Sequence, residues 1–297
     1  MTTSSEPVRS GALASADAAD NEYVLGTGAD ELARLGLQHR LWADAAHAAW
    51  KLGRIGPGAR VLDVGCGPGY AAFDLANLVG PQGEVVGVDE SSRFVGWMNH
   101  QATVRGLGQV RAVVGDVQRL EAVLPGRTGA FDAAYARWVL CFVPRPGEVL
   151  RGVADLLKPG GRLIVHDYFN YTAMTMAPRC RSHDRAVAAT AASWRERGGD
   201  PDIVGRLGRL LAECGMSIDH LHVHQRVARG NPDPSRRDPM FAWPDTWWRT
   251  YAPKLVEMGK LAQADCDELI ADLERIGSSA TDFIMVPPVF EVVAVKA

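Results

Sequence analysis

Short apolar runs of strand length alternate with stretches of helical period along most of this chain. Val61–Val64, Glu84–Asp89, Val110–Val114, Phe131–Ala136 and Arg162–Tyr168 each read as a strand. Between them lie segments with apolar residues three or four apart: one opening near Ala71, one from Ser92 to about Arg105, and one from Glu148 to Leu157. The last of these meets Lys158-Pro159-Gly160-Gly161, which reads as a helix stop. Ahead of the first strand, Glu22–Ile55 is helical in pattern, with two helices expected and a break near Gly36. Strand and helix in strict alternation predict an α/β, doubly wound, mostly parallel sheet.

Beyond Asn170 the pattern becomes more helical. Residues 171–200 read as a helical insertion, and a helix over Ile203–Cys214 leads to a sixth strand near Ile218–Val227. Residues 231–280 form a long helical insertion before a last strand near Val289–Val295. The division expected is a disordered tail at 1–20, an N-terminal helical segment at 21–56, a core at 57–230, a helical cap at 231–280 and the last core strand at 281–297. The tail is rich in Ser, Thr, Ala and Asp and lacks the apolar run of a signal peptide. No run of about 18 apolar residues is present, so no membrane span is expected.

The first strand carries the chemistry. Asp63-Val64-Gly65-Cys66-Gly67-Pro68-Gly69 leads from a strand into a helix. Glycines at alternate positions let a backbone turn tightly and approach a ligand. A helix N-terminus behind them offers unpaired N–H groups and a positive dipole end. A dinucleotide fingerprint reads G-x-G-x-x-G, whereas here the spacing is G-x-G-x-G and Tyr70 stands where the third glycine would be. The segment resembles motif I of the class I S-adenosylmethionine (SAM)-dependent methyltransferases. Leu157-Lys158-Pro159-Gly160-Gly161 before an apolar strand is similar to a second signature of that family. The resemblance covers about Tyr23–Asn170 and points to the group that contains quinone-biosynthesis and natural-product methyltransferases.

That resemblance implies a Rossmann-like sheet of seven strands with the last antiparallel, and SAM as cofactor. It places Asp63, Gly65, Cys66, Gly67 and Gly69 around the cofactor. Asp89, at the end of the second strand, would accept the ribose hydroxyls, with Glu90 beside it. Asp116 would accept from the adenine amino group, and Val117 would pack on the ring. Arg137, after the fourth strand, could pair with the SAM carboxylate or an acidic substrate. Tyr23 and Gln38 would lie in a helical segment that closes over both ligands.

Methyl transfer needs a nucleophile with an available lone pair. His166 is the first candidate base, at the carboxyl end of the fifth strand with a suitable unperturbed pKa. Asp167 and Tyr168 are the alternatives, and alternation along a strand should send His166 and Tyr168 to one face and Asp167 to the other. Tyr171, Trp243, Trp247 and Tyr251 are candidates to line an apolar substrate pocket.

Charge narrows the field. The chain carries a net charge of −3 over 297 residues, and residues 231–280 hold nine acids and six bases. That argues against a grip on nucleic acid or on an anionic membrane. Cys66, Cys141, Cys180, Cys214 and Cys266 are scattered without a C-x-x-C pair, as expected of reduced thiols in a cytoplasmic protein. His220, His222 and His224 alternate, but on one straight strand they span about 13 Å, too far for one ion to bridge all three. Tyr135 and Arg137 stand where a catechol-type enzyme places metal-binding acids, and no metal is expected. The Asn/Asp-Pro-Pro-aromatic motif of base methylation is missing. A small molecule is therefore the expected substrate. The alternatives are a methyltransferase for RNA or protein side chains, and a non-catalytic SAM-binding protein. Exposed cap aromatics would permit a homodimer.

Overall fold

The computed structural model describes residues 28–297. In chain order the elements are α1 (Ala29–Leu52), β1 (Arg60–Val64), α2 (Tyr70–Val79), β2 (Glu84–Asp89), α3 (Ser92–Val104), β3 (Val110–Val114), α4 (Leu120–Val123), β4 (Phe131–Arg137), α5 (Pro146–Leu156) and β5 (Leu157–Tyr168). There follow β6 (Thr175–Ala177), α6 (Arg181–Glu196), α7 (Val204–Glu213), β7 (Met216–His224), β8 (Val227–Arg229), α8 (Ala242–Glu257), α9 (Gln263–Gly277), β9 (Phe283–Met285) and β10 (Val289–Lys296).

Seven strands form one sheet in the order β3-β2-β1-β4-β5-β10-β7. The first five are parallel, and β10 runs antiparallel to both β5 and β7. This is the expected Rossmann-like sheet. Its central strands are buried on both faces, which is why they read as continuous Val/Leu/Ala runs rather than alternating ones. One core lies between the sheet and α1–α3, with Trp50, Leu75, Met98 and Tyr135 at its centre. The other lies beneath α5–α9 and contains Leu62, Leu163 and Trp248.

Four expectations need correction. Within its described residues the N-terminal segment is one helix, α1, not two: it runs through Gly36 without a break. Gly36 serves as a gap, since a Cβ there would come within 3.1 Å of the Tyr70 ring. The Tyr70 hydroxyl crosses it to donate to the Leu32 carbonyl at 2.9 Å. Second, α5 does stop ahead of Lys158, at Leu156, but the chain is extended from Leu157, so Lys158–Gly161 opens β5 rather than capping the helix. Gly160 takes a positive φ of 75° there, and the ladder with β4 shifts register between Phe131 and Ala133.

Third, the sixth strand ends at His224, and Val227 belongs to another sheet. That sheet, in the order β6-β9-β8, has three antiparallel strands of three residues each. Met176, Ile284 and Ala228 stand in register at its middle and are all buried. It ties the 171–200 insertion to the segment after α9, so Phe283–Met285 does not join the last core strand. Fourth, the cap aromatics are not exposed: Phe241, Trp243, Trp248 and Tyr251 are buried, which removes the reason given for a homodimer. All five cysteines are free thiols. Among the described residues no helix is long and apolar enough to cross a membrane.

Candidate active site

The carboxyl ends of β1, β2, β3 and β4 open into a cavity of about 740 Å³, roofed by α1 and α8. Doubly wound sheets hold ligands at this rim. Gly65, Gly67 and Gly69 all have positive φ, at 64°, 51° and 82°. Two of them are fixed by packing: a Cβ on Gly65 would sit 2.5 Å from Val139, and one on Gly69 would sit 2.5 Å from Met98. Gly67 differs, because nothing lies within 4 Å of its Cβ position, which leaves open space above the loop.

Carboxylates surround that loop. Asp89 accepts from the Gly67 amide at 2.8 Å and from the Ser91 amide at 3.0 Å, one through each oxygen. Each oxygen keeps further acceptor capacity. Burial holds its carboxyl above the usual range, against those two hydrogen bonds. Asp63 is buried beside it, and its Oδ2 has no hydrogen-bond partner. Burial pushes the Asp63 carboxyl up to about 7, with the Arg137 charge opposing the shift and Asp89 adding to it. Burial also drives the Cys66 thiol well above its ordinary value.

Arg137 closes β4. Its Nη2 bonds to His39 Nδ1 at 3.0 Å, while its buried Nη1 has no partner. Asp116 uses one oxygen, Oδ1, to accept from the backbone and side chain of Gln118 at 2.8 and 3.1 Å. Asp116, Val117 and Glu90 all line the cavity.

The far end is aromatic. Trp243, Trp138, Tyr168, Tyr171, Trp194 and Trp247 follow one another with ring centroids 4.9–6.2 Å apart. All six line the same cavity as the glycine loop. Gln38, on α1, fastens this wall: its Oε1 accepts from the Trp243 indole at 2.9 Å and from Arg34 Nη1 at 3.1 Å. The Tyr168 hydroxyl is pushed well above its ordinary pKa, chiefly by burial, and stays protonated.

Most of the expected cofactor and substrate residues are therefore gathered in one place. Three of the catalytic and substrate candidates lie outside the cavity. His166 is buried beneath it, with Nδ1 at 3.2 Å from the Tyr135 hydroxyl and Nε2 at 3.3 Å from Glu291. Asp167 turns to the opposite face and accepts from the Cys141 amide at 3.2 Å. The Tyr251 hydroxyl is bonded to Ser193 at 2.9 Å, behind the wall rather than in it. Tyr23 lies outside the described residues. Sequence reasoning missed Trp138 and Trp194 as wall residues. The position of Trp138, just past the end of a central strand, was the available signal, whereas nothing local marked Trp194.

A family model described as a methyltransferase domain matches residues 55–208. Among curated proteins, the chain is 41% identical over 130 residues to a 2-phytyl-1,4-naphtoquinone methyltransferase of Synechococcus elongatus, covering 43% of this chain and 53% of that one. It is 38% identical over 107 residues to nocamycin O-methyltransferase of Saccharothrix syringae, covering 36% of this chain and 37% of that one. The matches thus span about half, or less, of these relatives. Among solved structures, one of a methyltransferase from Bacillus halodurans aligns with a TM-score of 0.56 at 16% identity, over 84% of this chain and 98% of that one.

Proposed function

We propose that this chain, which belongs to the family of SAM-dependent methyltransferase domains, transfers a methyl group to an O, N or C nucleophile of a small molecule. The observation that carries this reading is the continuity of the cavity: one space joins the open glycine loop at Gly67 to a wall of six aromatic rings.

The residues present fit the cofactor. The buried Asp63 Oδ2 and Arg137 Nη1 are a carboxylate oxygen and a guanidinium nitrogen without hydrogen-bond partners, which complements the ammonium and carboxylate of a methionyl group. Asp89 retains acceptor capacity toward a ribose diol, and Gly67 has no side chain to obstruct it. Asp116 keeps one oxygen outside its bonds to Gln118, and Val117 offers an apolar surface, which suits an adenine edge and face. SAM, when bound, supplies the methyl group on a cationic sulfonium.

The chain's own contribution is positioning and exclusion of water. The stacked Trp138–Trp243 pair, 5.7 Å between centroids, suits a flat apolar acceptor. Tyr168 is the one expected catalytic residue in the wall. As a protonated phenol it donates a hydrogen bond to the acceptor and orients it, and it does not take its proton. The acceptor therefore has to bring an available lone pair of its own.

The test is release of S-adenosylhomocysteine with panels of phenols, amines and carboxylates. Turnover of aromatic or hydroquinone-like acceptors is expected. Turnover of RNA or protein substrates alone would overturn the small-molecule reading. No turnover with any acceptor, despite tight SAM binding, would favour a non-catalytic SAM-binding protein.

A further inference from the structure

The alternating histidines of β7 meet a buried acid that no local pattern reveals. In the ladder between β10 and β7, Glu291 stands opposite His222, with Val293 opposite His220 and Val289 opposite His224. Directly paired residues share a face, and so do residues two apart. His220, His222, His224 and Glu291 therefore lie on one side of the sheet. On the other flank of Glu291, β5 places His166 directly opposite it on that same face.

The side chains converge. His224 Nε2 lies 2.9 Å from Glu291 Oε2, and His166 Nε2 lies 3.3 Å from the same oxygen. His220 Nε2 lies 2.9 Å from the other oxygen, Oε1. The ligating atoms of His166, His224 and Glu291 all fall within 4.8 Å of one another. Glu291 and His166 are buried, whereas His224 and His220 are partly open to solvent at the sheet edge.

We propose that His166, His224 and Glu291 form a binding site for a divalent transition metal, Zn²⁺ by preference. Two imidazoles and one carboxylate are a zinc donor set, and a hard cation such as Mg²⁺ would want oxygen ligands instead. A tetrahedral site with bonds of about 2.0–2.1 Å places its ligand atoms roughly 3.3 Å apart. Two of the contacts already lie near that separation, and rotation of the partly exposed His224 closes the third. The outer contacts suit the role. The Tyr135 hydroxyl can accept from His166 Nδ1–H, the tautomer that leaves Nε2 free to ligate. His220 holds the second oxygen of Glu291 and aims the first. The partly exposed edge gives an entry path, and water completes the coordination.

The ion joins β5, β10 and β7, so its role is to fasten the far half of the sheet beneath the cavity. This inference does not depend on the methyltransferase reading.

The experiment uses the full chain, stripped with chelator and dialysed, then titrated with Zn²⁺ and Co²⁺. Uptake of one equivalent of Zn²⁺ after gel filtration is expected, with a rise in melting temperature. Co²⁺ should give the visible absorption of a four-coordinate ion. Glu291→Gln and His224→Ala should each weaken uptake at least tenfold. A competing pair exists in His39 and His47, both 3.0 Å from Asp74, so His47→Ala should leave uptake unchanged. Should Glu291→Gln fail to fold, His224→Ala at the partly exposed edge decides. No stoichiometric uptake by the native chain, or equal uptake in His224→Ala, would overturn the proposal.

Discussion

Two residues of the glycine loop region respond to change in opposite ways. At Gly67 the left-handed backbone would cost any other residue about 1–2 kcal/mol, and the side chain would enter open space. Gly67→Val should therefore lower the melting temperature slightly and weaken SAM binding more than tenfold, as read by calorimetry. Asp63 is governed by protonation. Its folded-state value of about 7 lies above the ordinary 3.8, so the folded chain takes up a proton between those limits. The associated stability is present at low pH and is lost as pH rises through that window. A positively charged ligand favours the ionised form. SAM affinity should therefore rise from pH 6 to pH 8, and Asp63→Asn should flatten that rise and be the more heat-stable of the two at pH 8. Both residues were legible in the sequence, because a strand, alternate glycines and a helix start are local features. His166 was legible only in part. Its strand position could be read, but its partner Glu291 lies 125 residues away and draws it under the cavity.

At the level of elements, α1 and α8 meet through the Gln38–Trp243 hydrogen bond and the Trp42–Trp243 ring contact at 5.1 Å. Gln38→Ala would leave the Trp243 indole N–H without its partner, at a cost of about 1–3 kcal/mol where that group stays buried. The acceptor KM should rise several-fold while SAM binding changes less, since Gln38 fastens the aromatic wall and not the glycine loop. Tyr251→Phe should act differently. It removes a buried hydrogen bond to Ser193 outside the cavity, so stability should fall by about 1 kcal/mol with kcat unchanged. These elements were only partly visible beforehand. The helices of the cap announced themselves by period, but the β6-β9-β8 sheet did not. Three-residue strands from distant parts of the chain carry no period of their own, and their pairing is fixed by the burial of Met176, Ile284 and Ala228. Gly36 misled for a similar reason: it reads as a helix break unless the Tyr70 ring that fills it is known.

Across the whole molecule, the sheet supplies one wall of the cavity and the helical cap the other. Tyr168 sits where they meet, with its ring 6.2 Å from Trp138 on one side and 5.2 Å from Tyr171 on the other. Tyr168→Phe should lower kcat/KM about tenfold, or about 1.4 kcal/mol, without changing SAM affinity, if the hydroxyl serves the acceptor as proposed. The central proposal is that the glycine loop is a cofactor site that opens onto this aromatic end. Calorimetric titration of the full chain with SAM, set beside Asp89→Asn, tests that most directly. One equivalent bound by the native chain, with affinity reduced at least tenfold in the variant, is the predicted result. No binding by the native chain, or equal binding by both, would contradict it.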